Sequence, residues 1–366
     1  MKELNEKIVQ YGFFGLSRQD LLDVCIKVNE PLQHVKFLYA WAYKGLNEDW
    51  GGDSQVSQRL LRYMRENYRL DVPECAGQHR SGYDDSVKFL LNLRDDSKVE
   101  AVLMPETGRL TLCISSQVGC RQGCGFCHTG RMGLQRNLTA HEIVGQVVAV
   151  NRWLASNPEY LQSCRLTHTK RISNIVFMGM GEPLDNPEAV VKSLEILSDD
   201  YGLQLSEKRM AVSTAGHLEG LKYLLTRRPK ASIALSLHCT DSRKRSQIMP
   251  INRRWDYSEV LRYLKSHYAC HNPKGWFLVQ YTLINGVNDD LKSAENLAKV
   301  LSGLPVKVNI IPLNEIDPSR YEAPDAGQLD QFRDVIHKHG IRVMIRYSKG
   351  QDISAACGQL VVEQRV

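Results

Sequence analysis

From about residue 100 onward, short runs of β-branched and apolar residues alternate with longer segments whose apolar positions recur every three to four residues. The runs predict strands over 110–115, 173–178, 209–213, 231–237, 276–283, 306–312 and 342–347. Between them the helical period predicts helices over 139–155, 186–199, 217–226, 256–267, 288–302 and 326–339. Thr139-Ala140-His141-Glu142 opens the first helix as a capping box, with Ile143, Val147 and Val150 as its apolar stripe. Strands alternating with helices predict parallel βαβ units and an α/β fold, either an open or a closed barrel. Barrels of this kind carry their chemistry on loops at the C-terminal strand ends.

The first 75 residues follow another pattern. Helical spacing covers 17–28, 31–44 and 56–67, and Ser17 reads as an N-cap. Strand-like segments Ser86–Arg94 and Lys98–Met104 then flank Asp95-Asp96-Ser97, a turn-forming cluster. The expected division is a helical N-terminal domain at 1–75, a β-hairpin extension and linker at 76–108, and a main domain at 109–366.

Composition narrows the classes. With 43% hydrophobic and 24% charged residues in 366, there is enough apolar material for a large core, and wholesale disorder is excluded. No stretch approaches the roughly 18 uninterrupted apolar residues of a membrane span. The early run Tyr11–Leu16 is too short for a signal peptide, and Arg18 closes it. These features predict a cytoplasmic protein with no membrane partner and nothing that demands more than a monomer. The net charge of +6 is uneven: residues 1–99 hold 14 Lys+Arg against 15 Asp+Glu, and residues 100–366 hold 33 against 26. That bias permits a polyanionic partner without naming one. Ten cysteines without an export signal suggest metal-binding or catalytic thiols rather than disulfides.

Cys120, Cys124 and Cys127 form a C-x3-C-x2-C set in the loop after the strand ending near Ser115. Three thiolates can hold three corners of a [4Fe–4S] cluster and leave one iron open to a small ligand. Gly119, Gly123 and Gly125 would let the backbone wrap closely around an inorganic core. The alternative from the residues alone is a structural zinc site completed by His128.

This spacing on the first loop of a βα barrel is the signature of radical S-adenosylmethionine (SAM) enzymes. The surrounding sequence resembles one branch of them, the RlmN/Cfr adenosine methyltransferases. The likeness runs from Cys113–Cys120 and Arg136–Ala140 through Gly179–Leu184, Val212–Gly216, Ser236–His238, Met249–Asn252, Ile311–Asn314 and Ala355–Leu360. It implies a partial (β/α)6 TIM-like radical SAM barrel with a small helical N-terminal domain and a β-hairpin extension. It also implies a [4Fe–4S] cluster on Cys120, Cys124 and Cys127. SAM would be held by Gly181, Glu182, Ser213, Ser236, Leu237, His238 and Asn314.

The activity implied by the resemblance is methylation of an adenosine, most readily at C2, in ribosomal RNA and also in transfer RNA. Adenine C2 is electron-poor and has no acidic proton, so direct methyl transfer to it is unfavourable. In this family Cys357 matches the methyl carrier, taking a methyl group from one SAM. A radical generated from a second SAM activates that methyl for addition to the base. Cys113 matches the partner thiol that releases the product as a transient disulfide, and Glu100 the proton acceptor. An external donor of flavodoxin type would supply electrons.

The RNA contact is expected at Arg243, Lys244, Arg245, Arg253 and Arg254, which crowd together beside Trp255 without an intervening acid. Several positions depart from the family pattern. His128 replaces a small residue, Cys239 follows His238 where alanine is usual, and the loop at 315–324 is more charged and less proline-rich. Val118 in place of cysteine leans toward the C2-methylating side. The rival readings are another radical SAM RNA-modifying enzyme, or a non-catalytic Fe–S RNA-binding protein.

Overall fold

A computed structural model describes residues 11–51, 55–166, 170–228, 230–316 and 320–362. Positions 1–10 of the N-terminal domain and 317–319 of the charged loop lie outside the described residues.

The N-terminal part holds β1 (Tyr11–Gly12), α1 (Arg18–Lys27), α2 (His34–Tyr39), α3 (Gln58–Asn67) and β2 (Tyr68–Arg69), with β1 and β2 pairing in parallel. Ser17 caps α1 in a reciprocal box with Asp20. The helix expected over 31–44 starts late, at His34 behind Pro31, and ends in a π-turn over Ala40–Lys44. Phe13, Phe14, Tyr43 and Trp50 form its aromatic core, with Phe13–Trp50 ring centres 5.2 Å apart. Phe14 stacks on His141 at 5.9 Å, which fastens this part to the first barrel helix.

Next come β3 (Glu74–Arg80), β4 (Val87–Asn92) and β5 (Lys98–Glu106), all antiparallel, followed by β6 (Arg109–Cys113). A second small hairpin follows, β7 (Gln117–Cys120) and β8 (Gly133–Asn137), with α4 (His128–Arg131) in its connection. The rest alternates: α5 (Ala140–Ser156), α6 (Pro158–Ser163), β9 (Asn174–Phe177), α7 (Pro187–Ser198), β10 (Met210–Thr214), α8 (Leu218–Arg227) and β11 (Ser232–Ser236). It closes with α9 (Ser242–Ile248), α10 (Tyr257–His271), β12 (Phe277–Leu283), α11 (Leu291–Leu301), β13 (Val306–Pro312), α12 (Ala326–Lys338) and β14 (Val343–Ile345).

One ten-stranded sheet runs β14-β13-β12-β11-β10-β9-β6-β5-β4-β3. From β6 to β14 every neighbour is parallel, giving six βα units ended by a three-residue strand. The barrel is partial because β14 and β3 are the two free edges of the sheet. Strand interiors are apolar on both faces, as a helix-covered parallel sheet requires; β12 buries six of its seven residues. β6 belongs to both halves, pairing antiparallel with β5 and parallel with β9, so the extension and the barrel share one continuous ladder.

Candidate active site at the C-terminal strand ends

A cavity of about 160 Å3 opens where β9, β10, β11, β12 and β13 end. Cys120, Cys124 and Cys127 line one side, Glu182, Ser213, Ser236, His238 and Asn314 the others, and Cys357 closes the rim. Residues 240 positions apart in sequence therefore share one chamber.

The cluster loop is the connection of the β7–β8 hairpin, and Cys120 is the last residue of β7. Burial pushes the Cys120 thiol up to about 12 and the Cys124 thiol well above its ordinary value, each also raised by its neighbouring thiols. Uncompensated, such thiols stay protonated; a cationic iron core would reverse that. Among the described residues no three His, Cys, Asp or Glu side chains gather closely enough to hold a single metal ion. Three thiols spread around one cavity fit the corners of a multi-iron cluster better than a zinc tetrahedron. His128 begins α4, and its backbone N–H donates to Gly358 O at 2.8 Å.

The floor of the cavity is held by buried polar bonds. The Glu182 carboxylate accepts from Ala215 N at 2.7 Å and Leu184 N at 3.1 Å, and burial pushes it up to about 7. Gly181 beside it has φ +103°, and a Cβ there would stand 2.6 Å from Gln117 Cβ, so only glycine fits. His238 Nδ1 accepts from Thr282 N at 2.8 Å, which places its proton on Nε2, the nitrogen left to donate. Burial holds that imidazole neutral, down to about 3. Ser213 and Ser236 approach each other at 3.4 Å, and Ser213 donates to Gln280 Oε1 at 3.3 Å.

Asn314 faces the cavity and also grips the last loop. Its Nδ2 donates to Cys357 O at 3.0 Å and Ser348 Oγ at 2.8 Å. Leu237 does not reach the wall: its side chain is fully buried, its N–H donates to Gln280 O and its carbonyl accepts from Arg245.

Cys357 is exposed and lies on a loop that follows Ser354, a left-handed residue at φ 51°. A second, small cavity of about 30 Å3 touches both Cys357 and Cys113. Cys113 is buried, and desolvation first, then Cys357, push its thiol far up. Gly358, at φ +86°, packs against Phe126 O in the cluster loop, where a Cβ would come within 3.1 Å. Cys357 thus lies between the cluster loop and Cys113.

Glu100 sits on β5, off both cavity walls. Its carboxylate pairs with Lys88 Nζ at 3.1 Å and accepts from Val361 N at 2.9 Å. Burial raises its proton affinity.

Two features escaped the sequence reading. Asp185 Oδ2 accepts from Gln122 Nε2 at 2.7 Å and pairs with Arg121 at 3.2 Å, while Oδ1 meets His217 Nε2 at 3.1 Å. It pins the cluster loop between its first two cysteines; as an isolated acid it gave no spacing signal. Arg245 corrects the expected phosphate-binding run. It is fully buried, and donates to the carbonyls of Leu237, Ala215 and Ser236 and to Asn252 Oδ1 at 2.8–3.0 Å. Arg243, Lys244, Arg253 and Arg254 remain exposed.

A half-barrel with a three-cysteine loop at its mouth defines the class, and the comparisons agree. Residues 114–298 match the Radical SAM superfamily. A dual-specificity RNA methyltransferase RlmN of Bdellovibrio bacteriovorus is 38% identical over 349 residues, covering 95% of this chain and 83% of that protein. One from Vesicomyosocius okutanii is 35% identical, covering 95% and 94%. The crystal structure of a radical SAM methyltransferase from Sphaerobacter thermophilus superposes with a TM-score of 0.86 at 32% identity, over 96% of this chain and all of that one. The protein is thus a radical SAM protein, with the [4Fe–4S] cluster and SAM that the superfamily uses. Within that superfamily the chain belongs to the RlmN family.

Proposed function

We propose that the protein methylates adenosine, at C2, in ribosomal RNA and in transfer RNA, through an S-methylcysteine on Cys357. The observation that carries this reading is the position of Cys357, one exposed thiol between the three-cysteine loop and the buried Cys113.

Cys120, Cys124 and Cys127 would hold the cluster, with Gly181, Glu182, Ser213, Ser236, His238 and Asn314 around SAM and Leu237 enclosed behind them. When bound, the reduced cluster and SAM supply a methyl group and a 5′-deoxyadenosyl radical. Glu182 meets the SAM ammonium as a carboxylate, and the neutral His238 donates from Nε2. Cys357 attacks the methyl carbon as a thiolate, so a sulfur–carbon bond forms as the sulfonium bond breaks. The radical would take a hydrogen atom from the methyl on Cys357, and the carbon radical left there would add to adenine C2; once the C2 proton and one electron have left, the base would be joined to Cys357 through an S–CH2 link. Cys113 would then attack the Cys357 sulfur, so that the disulfide forms as the sulfur–carbon bond breaks, the released carbon takes up a proton, the methylated base leaves, and an external thiol reductant restores both cysteines. Glu100 takes the C2 proton, which needs its contact with Val361 to open.

In the same reading the target adenosine is unpaired or flipped out, because C2 is inaccessible inside a stacked helix. Arg243, Lys244, Arg253 and Arg254 meet its phosphates, with the N-terminal domain as a second RNA contact. A flavodoxin-type donor reduces the cluster, and the chain works as a monomer in the cytoplasm. No helix among the described residues is long and apolar enough to cross a membrane.

The test is peptide mass spectrometry on cluster-loaded protein incubated with methyl-labelled SAM, followed by nucleoside analysis of added RNA. A labelled methyl on Cys357 and 2-methyladenosine in the RNA are expected, both lost in Cys357→Ala. An unlabelled Cys357 in protein that retains its cluster would overturn the carrier mechanism.

A further inference from the structure

The antiparallel extension lays a lysine, a carboxylate and a thiol along one face of the sheet. The register sets Lys88 of β4 opposite Val102 of β5, and Val102 opposite Cys113 of β6. Residues directly opposite share a face, so Lys88, Val102 and Cys113 make one row across three strands. Glu100, two positions before Val102 on β5, joins that face by the alternation of the strand. The segment that carries Cys357 lies over the row, since Val102, Cys113, Ala355 and Cys357 line one small cavity.

The two oxygens of Glu100 are held differently. Oε1 is 3.1 Å from Lys88 Nζ, and that ammonium also donates to Ser354 O at 3.2 Å. Oε2 accepts from Val361 N at 2.9 Å. The pair therefore grips the Cys357 segment on both sides of the thiol, and its side chains are only 14% and 5% exposed. Burial raises the proton affinity of Glu100; Lys88 opposes this first, then the Val361 amide and the exposed His79 of β3. The backbone of Glu100 meets Met180 and Ser115, which carry no charge. Apolar residues of similar size would hold two strands as well as an enclosed ion pair does, so stability alone does not account for it.

We propose that Lys88 is a positioning residue for methylation of the RNA base: it anchors Glu100 by Oε1, leaves Oε2 to take the C2 proton once Val361 moves away, and fixes the start of the Cys357 segment through Ser354. The inference rests on Glu100 as proton acceptor and Cys357 as methyl carrier. In the step it serves, a proton leaves C2 for Oε2, the bonding electron pair stays on the base, and Glu100 becomes neutral. Lys88 favours the charged form of Glu100 before that step.

The experiment follows 2-methyladenosine formation on unmodified ribosomal RNA by cluster-loaded protein, from about pH 6 to pH 9. Lys88→Met keeps the length and loses the charge. Its rate should fall about tenfold or more at neutral pH, and the acid limb of its profile should move to higher pH, because Glu100 has lost its cation. Lys88→Arg should return the limb to its place. A purely structural role would lower the rate by one factor at every pH. Amide exchange over 354–361 should quicken in Lys88→Met and not in Lys88→Arg. Should Lys88→Met fail to fold, the uncharged Lys88→Gln carries the same comparison. Glu100→Gln separates the two levels. Full activity there sinks the proton-acceptor reading, and the role of Lys88 with it. An inactive Glu100→Gln beside a Lys88→Met whose acid limb stays in place overturns the Lys88 proposal alone.

Discussion

The floor of the cofactor chamber and the loop that carries Cys357 face each other across one cavity but are built by opposite means. The floor is a buried polar lattice. Arg245, Glu182 and His238 are almost wholly enclosed, and nearly all their bonds run to backbone groups at strand ends. The Cys357 loop is a surface segment held at separate points, by Asn314 and His128 at Cys357 and Gly358, and by the antiparallel extension ahead of them. Gly350 N donates to Asp84, Gly82 N donates to Asp352, and Lys88 reaches Ser354 O. A fixed geometry suits groups that orient a cofactor. In the proposed mechanism the Cys357 thiol meets a sulfonium, an adenine and Cys113 in turn, which needs freedom that the floor lacks.

The largest effect should come from breaking the floor. In Arg245→Met a residue of similar length fills the space, but three carbonyls and Asn252 Oδ1 lose their donor. We expect a loss of about 3–5 kcal/mol of stability, read by urea unfolding, with SAM binding lost as well. Stability close to that of the unaltered protein would mean that the floor is not held through this side chain.

A subtler break separates holding from binding. Glu182 sits at about 7 in the fold, above its ordinary value, chiefly from burial. The folded chain therefore binds more protons than the unfolded one between the two values. Its favourable contribution is complete below the ordinary carboxyl value, and is lost as pH rises through about 7. Glu182→Gln should remove this slope and make the SAM-free protein more stable at pH 8 than the unaltered chain. It should also weaken SAM binding by about ten- to a hundredfold, the worth of one charge-assisted bond. Thermal unfolding at pH 6 and 8 beside SAM titration reads both.

The same contrast explains what the sequence made legible. The cluster loop was found by spacing, and the six βα units by apolar periodicity, because both are repeated local signals. The edge strand β3 was missed: six of its seven residues are exposed, so no alternation marks it. β7 was missed because Gln117–Cys120 is buried throughout, and a buried run of four has no period. Arg245 looked like part of a solvated charge run; only the closure of the barrel turns it inward. The supports of the Cys357 loop span some 270 positions of sequence, and no local pattern announces them. Gln280, a lone amide in an apolar strand, was a signal left unused.

The smallest effect on stability, and the sharpest on the comparison, lies at those supports. Asp84→Ala with Asp352→Ala removes the two carboxylate anchors between the extension and the Cys357 loop. Each bond contributes about 0.5–1.5 kcal/mol, and neither side chain touches the cofactor chamber. Cluster content and SAM affinity should therefore stay at the level of the unaltered protein. The rate of methyl transfer to Cys357 should fall severalfold, because the thiol now samples positions away from the chamber. Formation of the Cys113–Cys357 disulfide under mild oxidant should slow in parallel, a readout that a purely structural defect elsewhere would not move. A carrier-methylation rate unchanged by both substitutions would place the control of Cys357 with Asn314, whose amide holds the Cys357 carbonyl from the floor itself. The two regions would then be one rigid unit, and the contrast between them would fail.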